Sequence, residues 1–270
     1  MKQTYQNFEI IVIDNNSSDH SKEVVNSFHN PKIRLFDIEN NGIISKSRNL
    51  GISKSKGEWI CFLDADDYWF KNKLLVIKNK LEMNNHIDVI CNGEIYFFNK
   101  SKKFYKKFYK KKNYKLSFFN SLLLAGNQLS TSATSVNKKF ISENKIKFSE
   151  DFSIVTSEDY DYWLRLAFKK ANFEFIDSCL GIWFLHKDST SNKYYNHNKA
   201  YLNVALFHLD NSRFNKNLKK FLRKYLFFKY YISSLKYNLI NKNFFKALKF
   251  FMKLVFNFYF IFFLLKIKKK

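Results

Sequence analysis

Three observations predict an α/β fold whose sheet has parallel members. Two apolar runs of strand length, Phe8 to Ile13 and Trp59 to Leu63, each stop abruptly at polar and acidic residues. Segments with helical marks alternate with such runs along the chain. No internal repeat and no long Gly/Ser/Pro linker divides the chain. In sheets of this kind ligands sit beyond the carboxyl ends of the strands, where both runs place their acids.

Taken in order, Phe8-Glu9-Ile10-Ile11-Val12-Ile13 is a strand, and Asp14-Asn15-Asn16-Ser17-Ser18-Asp19 is the polar turn that ends it. Val24, Val25 and Phe28 then mark an amphipathic helix. Pro31-Lys32 opens a second strand, Ile33 to Ile38. After Asn41-Gly42, Ser45 to Lys54 reads as a short helix with Gly57 as its stop, leading into Trp59–Leu63. Thr131 to Val136 is rich in β-forming residues. Thr156 to Leu166 reads as a helix start: Ser157 suits the N-cap, and Glu158 and Asp159 in the first turn complement the helix dipole.

Asp64-Ala65-Asp66-Asp67 packs three carboxylates into four positions. Like charges this close repel, and a cation is the usual remedy, although a plain polar turn after a buried strand also collects Asp. In an extended segment, positions i and i+2 point the same way, so Asp64 and Asp66 are expected to face one ion. Mg²⁺ and Mn²⁺ prefer such oxygen ligands, and Mg²⁺ is typically held by one or two carboxylates with substrate phosphates completing its shell. A nucleotide-diphosphate ligand is therefore expected at this turn, with Asp14 close enough to share it.

Phe8 to Asp19, Asn41-Gly42 with Ser47-Arg48-Asn49-Leu50-Gly51, Gly57 to Trp69, and Glu158 to Leu166 stand in the order found in family 2 glycosyltransferases. The chain resembles that family from about residue 3 to 190. The resemblance implies the A-type, Rossmann-like glycosyltransferase fold. It also implies inverting transfer of a sugar from a nucleotide-diphosphate donor, a UDP-sugar as first choice, to a glycan or lipid-linked acceptor, as in bacterial lipopolysaccharide or capsule synthesis. Position by position, Asp14 and Asn15 would meet the nucleobase and ribose, with Asn15 standing where the family often has Asp. Arg48 would lie near the nucleotide. Asp64-Ala65-Asp66 matches the D-x-D motif, with Asp66 the first choice of ligand for Mn²⁺ or Mg²⁺, Asp64 nearer the ribose or the ion, and Asp67 a weaker candidate. Glu158-Asp159 matches the E-D pair, Asp159 being the expected catalytic base. Trp183 to Ser191 resembles the late loop, usually Tyr-Arg-x-His-x-x-Ser-x-Ser. His186 is in place to approach the metal or diphosphate, and Phe184 replaces the Arg.

The resemblance also implies an opening strand and helix, of which Lys2 to Gln6 resembles only the tail. That strand would lie between residues 8–13 and 59–63, and without it two interior strand edges are expected to lack partners. The alternative function is accordingly an inactive truncated remnant that only binds a membrane or a partner protein.

The net charge of +24 is concentrated in two segments. Residues 193–270 carry 18 Lys or Arg against one acid, Asp210, and residues 100–115 carry nine lysines and none. Both segments interleave lysine with Phe and Tyr, a pattern suited to an anionic membrane surface, where lysines snorkel and rings sit at the headgroups. The expected organisation is a truncated glycosyltransferase domain over 1–192 and a helical, basic-aromatic, membrane-associating region over 193–270. The 99–115 stretch reads as an insertion loop or a basic hairpin. The apolar run Leu254 to Leu265 is shorter than the ~20 residues a transmembrane helix needs. No signal peptide opens the chain, and Cys61, Cys91 and Cys179 have neither disulfide nor zinc spacing. A cytoplasmic protein, peripheral on the inner face of the cytoplasmic membrane, is expected. Nucleic acid is not an expected partner, because no nucleic-acid motif accompanies the charge.

Overall fold

The computed structural model describes residues 2–98, 101–110, 116–185 and 195–267. They form two compact units. One runs to Phe152 and resumes at Glu158; the other joins Ser153–Ser157 to the C-terminal helices.

In the first unit, β1 (Ile10–Asp14) and β2 (Ile33–Asp37) pair in parallel, Ile10 opposite Ile33 and Asp14 opposite Asp37, as a two-stranded sheet. Between them runs α1 (Ser21–Ser27). The apolar stripe read in this segment does not enter a core: α1 has no buried residue, and Val24 and Phe28 are exposed. A two-stranded sheet offers too little surface to cover them, and a hollow of about 270 Å³ beside Val25, Ile33 and Leu35 remains between α1 and β2. The next helix, α2 (Ile44–Lys54), lies on β1, so that a Cβ at Gly51 would sit 3.6 Å from Ile13 Cγ1.

The second sheet contains β3 (Trp59–Cys61), β4 (Tyr68–Trp69), β5 (Val89–Phe98), β6 (Lys103–Lys107), β7 (Thr134–Asn137) and β8 (Phe173–Leu185). Their order is β3-β7-β5-β8-β4, with β6 hydrogen-bonded to β5. The long central strands β5 and β8 are parallel; the β3–β7, β5–β7, β5–β6 and β4–β8 pairs are antiparallel. Among the described residues β1 pairs only with β2, and β3 only with β7. The 99–115 region contributes a basic hairpin strand, β6, rather than a plain loop.

Two strands are trimmed relative to the sequence reading. β3 stops at Cys61: Phe62 N–H still reaches Thr134 O (3.4 Å), but the next inward amide, Asp64 N–H, goes to Ser132 Oγ (3.0 Å). β7 starts at Thr134, because a turn closed by Thr134 N–H to Thr131 O (3.0 Å) occupies the residues before it.

Around the sheet lie α3 (Lys73–Met83), α4 (Phe118–Ala125), α5 (Lys138–Glu143) and α6 (Glu158–Phe168). α6 is the core helix: Tyr160, Tyr162, Trp163, Leu164 and Leu166 are fully buried. Tyr160 OH donates to Leu122 O of α4 at 3.0 Å. The expected Ser157 cap is not made. Ser157 Oγ is buried without a hydrogen-bond partner, so α6 begins on the acids of its first turn.

The second unit holds α7 (Tyr195–Asp210), α8 (Lys216–Ile240) and α9 (Phe244–Ile267). Asn215 caps α8 by accepting from Leu218 N–H at 2.9 Å, and Arg223 pairs with Asp210 across the α7–α8 turn. Leu222, Leu226, Ser234 and Asn238 form the buried stripe of α8, against which Phe250 of α9 packs its ring at 5.8 Å from that of Tyr230. The predicted helical tail is thus present. Among the described residues no helix is long and apolar enough to cross a membrane.

Candidate functional site

Three segments that are distant in sequence meet on one side chain. Arg48, on α2, donates from one guanidinium nitrogen to Glu158 Oε1 at 2.8 Å and from another to Asp64 Oδ1 at 3.1 Å. Its side chain is only 11% exposed. Burial opposes the guanidinium charge, but Asp64, Glu158 and Asp159 surround it and hold its pKa above the ordinary value. Its Cζ lies 5.4 Å from the centre of the Phe148 ring, and Phe148 stacks on Tyr162 of α6 at 3.9 Å. The arginine is therefore held by two acids and an aromatic pair.

Asp64 opens a tight turn, closed by Asp67 N–H to Asp64 O at 3.0 Å. This corrects the expectation of an extended D-x-D in which positions i and i+2 point alike. The backbone folds over because Ser132 Oγ takes the Asp64 amide that an extending ladder would have used. Asp64 is half-buried against Arg48, whereas Ala65 and Asp66 are exposed. Asp67 accepts from Phe184 N–H at 3.3 Å. Burial, with Glu94 and Asp64 nearby, pushes its pKa up to about 7 against the hydrogen bond from Ser132.

Asp159 is half-buried at the first turn of α6. Asn127 Nδ2 donates to its Oδ2 at 2.9 Å and Tyr160 N–H to its Oδ1 at 2.6 Å. Burial first, and then Glu158, raise its pKa to about 7, while Arg48 works against them. Glu158 is 7% exposed. Its Oε1 is bound by Arg48, and its Oε2 is buried with no hydrogen-bond partner. Two residues earlier, Thr156 has φ of +79°, an uncommon conformation for a β-branched residue and one that concentrates near functional segments.

The strand-tip residues Asp14 and Asn15 hold the turns around them. Asp14 Oδ2 accepts from Ser17 N–H at 3.0 Å and lies 3.5 Å from Lys22 Nζ. Hydrogen bonds from Ser17, ahead of Lys22, hold its pKa below the usual carboxylate range. Asn15 Oδ1 accepts from Asn40 N–H at 2.9 Å, and Asn40 Nδ2 donates to Ser47 Oγ at 2.9 Å, so Asn15 braces the turn that starts α2. Among the described residues no hydrogen bond or ion pair joins Asp14 to Asp64. His186 lies outside the described residues.

Among the described residues no group of three or more His, Cys, Asp or Glu forms a cage for a metal ion. The donor chemistry nevertheless fits a hard cation of the kind that needs few protein ligands. Asp66 presents an exposed carboxylate, and Arg48 occupies one oxygen of Asp64, leaving Oδ2 for another partner. One or two carboxylates are the usual protein share of a Mg²⁺ shell completed by phosphates.

Sequence reasoning missed the layer beneath the turn. Ser132, Asn127, Lys73 and Glu94 all contact or face the acids. Only Glu94 carried a signal, as a lone acid inside the apolar run Val89–Phe98.

The profile of Glycosyl transferase family 2 matches residues 1–139. The chain is 35% identical over 101 residues to the Escherichia coli UDP-Glc:α-D-GlcNAc-diphosphoundecaprenol β-1,3-glucosyltransferase WfgD, covering 35% of this chain and 40% of that protein. It spans between 13% and 60% of the length of the first curated relatives that match it. S. aureus TarS residues 1–349, solved in complex with UDP-GlcNAc, superposes with a TM-score of 0.62 at 18% identity, over 88% of this chain and 68% of that one. The Pyrobaculum calidifontis mannosyltransferase PcManGT, solved with GDP-Man and Mn²⁺, gives 0.55 at 14% identity, over 96% and 78%. The curled mixed sheet shared with these neighbours is the A-type, Rossmann-like glycosyltransferase fold.

Proposed function

The chain belongs to glycosyl transferase family 2, and from that premise we propose that it transfers a sugar, with inversion, from a nucleotide-diphosphate donor to a glycan or lipid-linked acceptor in bacterial surface polysaccharide synthesis. The observation that carries this reading is Arg48, which joins the Asp64 turn to the Glu158–Asp159 pair. A donor-binding turn and a base must lie side by side for an in-line transfer.

The reading assigns the donor's diphosphate to the Asp64–Asp67 turn. Mn²⁺ or Mg²⁺ would be held by Asp66 with Asp64, and would supply Lewis-acid neutralisation of the charge on the departing diphosphate. Asp14 and Asn15 would border the nucleoside, and a UDP-sugar is the first choice of donor; TarS was solved with UDP and UDP-GlcNAc. Asp159 would take the proton of the acceptor hydroxyl as that oxygen bonds to the anomeric carbon and the bond to the diphosphate oxygen breaks. The centre passes through an oxocarbenium-like state. A base with a pKa of about 7 is matched to neutral pH, and the bonds from Asn127 and Tyr160 fix its orientation.

A lipid-linked acceptor is favoured by the relative WfgD, whose name specifies a diphosphoundecaprenol substrate, and by the lysine-aromatic surfaces. Phe104 and Tyr105 of β6 are exposed among lysines, as are Phe244 and Phe245 at the start of α9. The reading places the protein on the inner face of the cytoplasmic membrane, attached through these segments.

Transfer from a UDP-sugar donor by wild type and by Asp159→Asn tests the assignment. The variant should bind UDP like wild type and lose transfer by about 10²–10⁴-fold; transfer at the wild-type rate would remove Asp159 as the base. A second reading, a non-enzymatic remnant, draws on the one-sided pairing of β1 and β3. It predicts no UDP binding at all.

A further inference from the structure

The groups beneath the acidic turn are not used by the chemistry above, yet they are among the most deeply buried polar groups of the protein. Lys73, at the start of α3, is 0% exposed. Its Nζ donates to Ser132 O at 2.6 Å and lies 4.3 Å from the centre of the Trp69 ring. Trp69 Nε1 donates to the same carbonyl at 2.8 Å, so both acceptor positions of Ser132 O are filled. Ser132 is itself 1% exposed. Its Oγ accepts the Asp64 amide at 3.0 Å and also hydrogen-bonds the Asp67 carboxyl. One residue thus grips the turn at its first and last positions, and a buried ammonium grips that residue.

Burying an ammonium costs several kcal/mol unless it is paired. Here Glu94 and Asp67 face it, and Glu94 is available because of the strand irregularity beside it. The β5–β8 register shifts on either side of Gly93. A Cβ at Gly93 would lie 3.0 Å from Lys107 O and 3.1 Å from Ser178 O, so a larger residue there would press the backbone of β6 and the start of the bulge apart by a few tenths of an ångström. Glu94 is 1% exposed, with Tyr109 OH donating to its Oε2 at 2.8 Å. An apolar residue at position 73 would fill the same space without this arrangement, but it would leave Ser132 O held by Trp69 alone.

We propose that Lys73 and Ser132 are positioning residues: they hold the Asp64–Asp67 turn in its donor-ready form before nucleotide and cation arrive. The inference rests on the reading of that turn as the nucleotide-diphosphate site. Arg48 fixes the outer, side-chain end of Asp64 and Ser132 its backbone, so the Asp64 carboxylate and the start of the turn have little freedom left to lose on binding, which is how preorganisation raises affinity. Partners in this supporting layer are typically worth 10–100-fold in metal affinity, by order of magnitude.

Calorimetric titration of the full chain with UDP in the presence of Mn²⁺, alongside thermal melts, tests the pair. Ser132→Ala deletes only the hydroxyl. It should weaken UDP–Mn²⁺ binding by about 10–100-fold, with a fall in melting temperature no larger than one lost buried hydrogen bond accounts for. Lys73→Met should do the same if it folds; if it does not, Ser132→Ala decides. Wild-type affinity in Ser132→Ala, or an affinity loss that comes only with loss of cooperative unfolding, would overturn the positioning role while leaving the site reading intact. Wild-type protein that binds no UDP would instead overturn the site reading, and the pair with it.

Discussion

Arg48 and Glu158 lie 110 positions apart in the chain and meet through a 2.8 Å hydrogen bond. The contact brings the start of α6, and with it Asp159, to the helix that lies on β1. The same guanidinium reaches Asp64, so a single cation faces Asp64, Glu158 and Asp159 together.

The first consequence is a pH profile. Asp159 acts as a base only when ionised, and burial has raised its pKa to about 7. Transfer, measured as kcat/KM against pH, should rise about tenfold per pH unit below 7 and level off above it. The stability sign is opposite. The folded state holds this proton up to about pH 7, the unfolded state only to the ordinary Asp value of 3.8. The Asp159 contribution to stability is thus fully present below pH 3.8 and is lost as pH rises through about 7.

Arg48 opposes the rise in the Asp159 pKa. Arg48→Met should therefore move the midpoint of the kcat/KM profile upward, beyond pH 7, as well as lowering its plateau. A profile with an unmoved midpoint would show that Arg48 and Asp159 are not coupled.

Phe148 is fully buried between the Arg48 guanidinium and the Tyr162 ring. Phe148→Ala opens a cavity there and should cost about 3–5 kcal/mol in urea unfolding. A loss below about 1 kcal/mol would mean that the neighbouring aromatics collapse into the space.

Gly181 stands opposite Trp69 in the β4–β8 pair, and a Cβ there would come within 2.6 Å of Tyr68 O. Gly181→Ala must push β4 away, and β4 begins directly after Asp67. Overpacking of this kind typically costs about 1–3 kcal/mol. Weaker UDP binding should accompany the lost stability, because the turn moves with the strand; a variant with wild-type melting and binding would contradict this.

Much of this was legible in the sequence because it is local. The apolar runs at Ile10–Asp14 and Ile33–Asp37, the helix at 44–54 and the acidic start of α6 are set by side chains within each segment. The convergence of Arg48, Asp64 and Glu158 was reachable through family resemblance, since motif order places all three in one fold. What was not legible depends on tertiary surroundings. The D-x-D segment turns rather than extends because Ser132, 68 positions away, takes its amide. Val24 and Phe28 stay exposed because the sheet under α1 has only two strands. Ser157 fails as a cap because its hydroxyl is buried without a partner. Lys73 looks like a surface lysine on a helix until Ser132 O, Trp69 and Glu94 close over it.

UDP binding by calorimetry, with and without Mn²⁺, in wild type and Asp66→Asn, tests the donor site most directly. Binding by wild type that requires Mn²⁺ and is lost in Asp66→Asn is the expected result. Failure of wild type to bind UDP, or binding indifferent to both Mn²⁺ and Asp66, would contradict the assignment of the Asp64–Asp67 turn to a nucleotide-diphosphate donor.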